Sequence, residues 1–206
     1  MKTSNTLLRI VLSLCFLGTA LLAQAEPDPN FHIYLCWGQS NMEGNASVPS
    51  SEKEGVDERF QMIYTADDCS RGDRKKGQWY TAIPPLARCF HNNNIGFGPV
   101  DYFGRTLVKE LDESIRVGVV VVACGGCDIE LFEKDKCENY IRNAADWLQS
   151  YAREYGNNPY KRLIDMAKEA QKVGVIKGIL VHQGENNSGQ TDWPKRLKGY
   201  LACRSR

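Results

Sequence analysis

The run Val117-Gly118-Val119-Val120-Val121-Val122-Ala123 constrains this chain more than any other stretch. A strand with one wet face alternates apolar and polar residues. This one carries no charged or amide side chain over seven positions, so both of its faces must be covered. With Arg116 it predicts a strand over 116–123 inside a parallel sheet. Phe31-His32-Ile33-Tyr34-Leu35-Cys36-Trp37 and Val175-Ile176-Lys177-Gly178-Ile179-Leu180-Val181 read as two more strands. Phe60-Gln61-Met62-Ile63-Tyr64 alternates and reads as a short strand near a sheet edge.

Parallel strands need crossovers of a dozen residues or more, usually helical. The segments between the runs supply them. Gly98-Pro99 starts a helix whose stripe is Phe103, Leu107, Val108 and Leu111. A second helix carries Ile141, Ala144, Ala145, Leu148 and Tyr151 at helical spacing. Asn158-Pro159 opens a third, lined by Leu163, Ala167 and Ala170 and stopped at Gly174. Asp192 caps a last helix carrying Leu197, Tyr200 and Leu201. Residues 66–95 are rich in turn formers and read as irregular, with Trp79 and Tyr80 assigned to core packing over sugar stacking. Strand–helix alternation predicts an α/β fold: a three-layer αβα sandwich around a doubly wound parallel sheet.

Two hundred and six residues suffice for one domain with a core. The first 25 are set apart as a secretory signal peptide. Lys2 and Arg9 precede the apolar segment Ile10 to Leu22, and Ala23-Gln24-Ala25 fits a small-x-small cleavage site. The apolar segment is shorter than the ~20 residues of a spanning helix. The mature domain is therefore expected over 26–206, secreted or periplasmic, with no stable membrane insertion. A formal net charge of +1 and no basic run interleaved with aromatics argue against a nucleic-acid partner.

Export permits disulfides. Cys36 sits inside a strand and reads as a small buried hydrophobe. Cys69 with Cys89, and Cys127 with Cys137, are candidate loop staples, their connectivity left open by sequence. Cys124-Gly125-Gly126-Cys127 has no second ligand pair, so no metal site and no cofactor is expected.

Chemistry concentrates at strand ends. Right-handed crossovers gather the C-terminal ends of parallel strands on one side, where open α/β sheets place their reactive groups. Ser40, in Gly38-Gln39-Ser40-Asn41-Met42-Glu43-Gly44, follows the first strand and is the candidate nucleophile. Met42 stands two residues after it, which excludes the G-x-S-x-G elbow. An attacked ester develops an oxyanion, and each fixed donor aimed at it is worth about 10²–10³ in rate. Candidate donors are the Ser40 N–H, the Gly98 N–H at a helix start and the Gln183 side-chain amide. Glu185 is placed to orient and charge-stabilise an imidazole.

Three blocks occur in fixed order: Gly38–Gly44; Gly96-Phe97-Gly98-Pro99 with Phe103-Gly104-Arg105; and His182-Gln183-Gly184-Glu185. Together they resemble the SGNH-hydrolase superfamily, and more closely its sialate O-acetylesterase-like carbohydrate esterases, which include the family 6 acetylxylan esterases. The resemblance spans residues 31 to about 200. It implies a flavodoxin-like SGNH fold and metal-free serine-dependent deacetylation of O-acetylated sugars, acetylxylan preferred. On it Ser40 matches the nucleophile, and Ser40, Gly98 and Gln183 match the oxyanion hole. Glu185 resembles the triad acid of some members.

The resemblance also implies a catalytic histidine in a C-terminal Asp-x-x-His segment, and this sequence contains none. Its histidines are 32, 91 and 182: His32 reads as structural, His91 has no match, and His182 matches a packing position. The expectation is a domain whose last strand and helix are missing, with impaired activity and an unpaired sheet edge. Two alternatives stand beside acetylxylan hydrolysis. One is sialic acid O-acetylesterase activity; the other is non-catalytic glycan binding through Trp37, Trp79 and Trp193.

Overall fold

The computed structural model describes residues 26–67, 74–88 and 95–202. The expected leader, the Cys69–Cys89 pair, His91 and Cys203 lie outside the described residues, as do the side chains of Tyr200 and Leu201.

Strand β1 (Phe31–Gly38) lies between β6 (Arg116–Ala123) and β7 (Val175–His182), parallel to both. The sheet continues through β3 (Phe60–Ile63), parallel to β6, to β4 (Trp79–Thr81), giving the order β4-β3-β6-β1-β7. Every residue of β6 after Arg116 is buried, as its unbroken apolar run requires.

Consecutive residues of β1 face opposite ways. Tyr34 meets Phe103 of helix α2 (Pro99–Glu110), ring centroids 4.9 Å apart. Its neighbour Ile33 packs beside Gly174, just past helix α5 (Pro159–Ala170). Helices therefore cover both faces, which is the sandwich expected. The helix starts are also as read: Pro99 opens α2 after Gly98, and the Asn158 side chain accepts from Lys161 N–H at 2.8 Å.

Three local expectations need correction. Trp79 and Tyr80 belong to a strand, and β4 runs antiparallel to β3, so the sheet is mixed. Trp79 packs edge-on against Phe31 at 4.8 Å, which accounts for the strand's place at the core margin. The helix expected through Ile141 and Tyr151 is two, α3 (Cys137–Arg142) and α4 (Asp146–Glu154). At the break the Asn143 side chain donates to Asn139 O at 2.8 Å, a local bond that competes with helix continuation. Lastly, Cys127 and Cys137 are both free and buried, so they form no staple.

Candidate active site

The ends of β6, β1 and β7 are tied by backbone bonds. Cys124 N–H donates to Gly38 O, and Gln39 N–H donates to His182 O, each at 3.1 Å. Only glycine fits at position 38, since a Cβ there would stand 2.0 Å from His182 O. The chain then turns into the short helix α1 (Ser40–Glu43), with Ser40 half-buried at its first position.

Gly44 ends that turn at φ +88°, a conformation L side chains rarely adopt. A Cβ on it would lie 2.9 Å from Gly96 and Phe97 backbone atoms, and one on Gly98 would lie 2.9 Å from Gly44 Cα. Strand β2 (Ala46–Ser47) pairs antiparallel with β5 (Ile95–Phe97) and clamps the two segments together. The first two sequence blocks thus meet backbone to backbone. The third joins through Glu185, whose Oε1 accepts from Asn41 Nδ2 at 2.6 Å and lies 3.1 Å from His182 Nε2.

On its other side Ser40 abuts the loop after β6. A Cβ on Gly125 would be 3.6 Å from Ser40 Cβ and 2.9 Å from Glu43 Oε2. Glu43 is buried beneath the turn. Its Oε2 accepts from Gly125 N–H at 3.1 Å, and its Oε1 accepts from Arg88 Nε. Arg88 donates onward to Glu154 Oε1 at 2.9 Å and lies over the Tyr151 ring, 3.8 Å from its centroid. Burial pushes the Glu43 carboxyl above its ordinary range, while Arg88 and the Gly125 N–H pull it back.

All four sequence-derived positions, Ser40, Gly98, Gln183 and Glu185, belong to segments that meet at these strand ends. Two candidate oxyanion donors already have partners. The Gly98 N–H donates to Asp101 Oδ2 at 2.9 Å, one half of a capping box, since Gly98 has no side chain to return the bond. Asp101 is buried, its other oxygen has no hydrogen-bond partner among the described residues, and burial raises its carboxyl to about 7. Gln183 Nε2 donates to Cys127 O at 3.0 Å, so this buried amide pins the β6 loop to the β7 loop. Its second N–H remains for other uses.

Of the described histidines, His32 sits at the opposite end of β1, and burial lowers its pKa. His182 is opposite Gly38 at the reactive end, held by Glu185. Among the described residues no group of three or more His, Cys, Asp or Glu side chains is arranged to hold a metal ion.

Sequence reasoning missed two elements. Glu43 and Arg88 are 45 residues apart and carried no shared motif. Trp147 stands 49% exposed against Gly126, beside the loop touching Ser40. Its signal was available: a tryptophan off the apolar stripe of its own helix. Trp37, by contrast, is fully buried against Phe132 and cannot serve as a stacking surface.

Comparison with known proteins bears on the family and the fold. The family model described as "Carbohydrate esterase, sialic acid-specific acetylesterase" matches residues 30–202. A protein from Arabidopsis thaliana superposes with a TM-score of 0.59 at 20% identity, over 85% of this chain and 68% of that one. The structure of NanS gives 0.56 at 14% identity, over 87% and 62%. A carbohydrate acetylesterase from Xanthomonas citri gives 0.51 at 20% identity, over 84% and 39%. The chain thus spans less than two thirds of the last two.

Proposed function

The chain belongs to the sialic acid-specific acetylesterase family of carbohydrate esterases, and from that premise we propose that it is an exported, serine-dependent O-acetylesterase acting on acetylated sugars. Ser40 Oγ attacks the acetyl carbonyl carbon, its proton passes to the departing sugar oxygen as the ester C–O bond breaks, and water then releases acetate from the acetyl-enzyme and returns a proton to Ser40. The observation that carries the reading is the meeting of three distant blocks around Ser40. Gly44 and Gly98 touch backbone to backbone on one side, and Glu185 grips Asn41 on another.

The Ser40 N–H is the first oxyanion donor and Gln183, through its second N–H, the next; the Gly98 N–H joins them only by leaving Asp101. Glu185 takes the place of the triad acid, with no catalytic imidazole assigned to it in this sequence. These 206 residues hold no Asp-x-x-His segment and assign Ser40 no base, so slow turnover is the outcome expected of them as tested. A triad short of one member retains about 10³–10⁴ over water. Acetylated xylan is preferred over O-acetylated sialic acid on family resemblance, and the leader at 1–25 sends the protein out of the cytoplasm.

The test is acetate release from acetylated xylan and 4-nitrophenyl acetate, with Ser40→Ala as control. Slow release that disappears in Ser40→Ala is the expected result. Release unaffected by Ser40→Ala would refute the nucleophile. A second reading, glycan binding without turnover, is favoured by the engagement of Gly98 N–H and Gln183 Nε2 with protein partners. Binding of acetylated xylan that survives Ser40→Ala, with no acetate formed by either protein, would select it.

A further inference from the structure

Among the described residues four large hydrophobic side chains stand exposed: Tyr102, Trp147, Val173 and Ile179. Trp147 is the one stacked on a loop that touches Ser40. Its six-membered ring lies so close to Gly126 that a Cβ there would stand 2.7 Å from Cη2 and 3.3 Å from Cζ3. Gly126 has φ +70°, so both its space and its backbone exclude a side chain. The preceding Gly125 is the residue against Ser40. Standard covalent geometry through these two glycines puts the indole within roughly 13 Å of Ser40 Cβ.

The ring is also held in place. Tyr151, one turn along α4, meets it edge-on at 5.7 Å and 66°. Tyr151 in turn carries the Arg88 guanidinium that pairs with Glu43 under Ser40. Leu148 and Ala152 take the buried face of α4, which leaves Trp147 turned outward. Across the site Trp193, half-buried, lies on Gly184 in the same manner, a Cβ there being 2.7 Å from its Cη2. Since β1 lies between β6 and β7, the Ser40 turn sits between two loops that each carry a glycine against an indole.

Resting on the acetylesterase reading, we propose that Trp147 is a stacking platform for a pyranose ring of an extended glycan, at least one sugar away from the acetylated unit at Ser40. An exposed, braced indole offers a flat apolar face to the C–H face of a sugar ring while leaving the hydroxyls in water. A single sugar whose ester lies at Ser40 has no second ring to place there. The site therefore takes an oligosaccharide or polysaccharide in preference to a monosaccharide.

The test compares wild type with Trp147→Ala and Trp147→Phe on acetylated xylopentaose, on O-acetylated sialic acid and on 4-nitrophenyl acetate. Trp147→Ala is expected to raise KM for the pentasaccharide about tenfold more than for either small ester, with kcat little altered and Phe restoring part of the difference. Calorimetric titration of xylopentaose into the Ser40→Ala protein, with and without Trp147→Ala, reads the same contact without turnover and should show about a tenfold rise in Kd. Equal losses on all three esters, or an unchanged Kd, would overturn the proposal. If no form releases acetate, the esterase reading fails, and the titration alone decides whether Trp147 binds sugar.

Discussion

Glu43 and Arg88 form an ion pair sealed beneath the turn that carries Ser40, their side chains 2% and 5% exposed. The pair joins three segments: α1 through Glu43, the β6 loop through Gly125 N–H, and α4 through Glu154. Removing Glu43 leaves the buried Arg88 guanidinium short of its most buried counter-charge, although Glu154 stays beside it. Glu43→Ala should therefore destabilise the protein by about 3–5 kcal/mol. Glu43→Gln, which keeps an acceptor for Gly125, should cost less. Urea unfolding midpoints at neutral pH check this; a loss under about 1 kcal/mol for the alanine variant would contradict it.

Asp101 makes stability depend on pH. Its carboxyl rises from 3.8 to about 7 on folding because it is buried, the Gly98 N–H opposing. The folded state thus holds the proton more tightly than the unfolded chain. Its contribution is fully present below 3.8 and is lost as pH rises through about 7. Asp101→Asn keeps the acceptor for Gly98 N–H and removes the titration. Relative to that variant, wild type should lose roughly 2–4 kcal/mol between pH 4 and pH 8. Parallel melting curves across that range would show it.

Glu185 holds both Asn41 and His182 through one oxygen. Glu185→Ala frees both and should lower kcat for acetate release by about 10–100-fold, with a smaller change in KM. Because the side chain is substantially exposed, the melting temperature should hardly move. A large drop in melting temperature instead would mark Glu185 as a structural strut.

Gly44→Ala tests the contact between the first two blocks. The new Cβ would meet Gly96 and Phe97 backbone atoms at 2.9 Å, at a φ of +88°. Backbone cannot yield as a flexible side chain does, so a loss of about 2–4 kcal/mol is expected, together with activity. Unfolding curves and acetate release measure the two effects.

The thiols of Cys36, Cys124, Cys127 and Cys137 are buried and pushed up in pKa, Cys137 to about 11. Iodoacetamide should leave all four unmodified in the native protein and label all four in denaturant. Peptide mass analysis distinguishes this from a Cys127–Cys137 bridge, which would block labelling in both states.

Much of the architecture was legible because it rests on local pattern. The unbroken apolar run at Val117 to Ala123 admits only an interior strand, and β6 is one. Gly98-Pro99 and Asn158-Pro159 announce helix starts through backbone chemistry that neighbours in sequence decide. Strand β4 was hidden because three residues amid turn formers acquire strand character only from pairing with β3. The Cys127–Cys137 staple was plausible from spacing alone, yet two buried thiols close in sequence need not meet.

By itself the sequence determined the parallel core, the order of its elements and the placement of Ser40 after a strand, since periodicity and turn chemistry act over a few residues. The tertiary structure alone decided which partners are already taken. It put Gly98 N–H on Asp101, Gln183 on Cys127, Glu43 under Ser40 and Trp147 beside the Ser40 loops. Those facts depend on distances between residues far apart along the chain, and only the packed sheet and its helices set those distances.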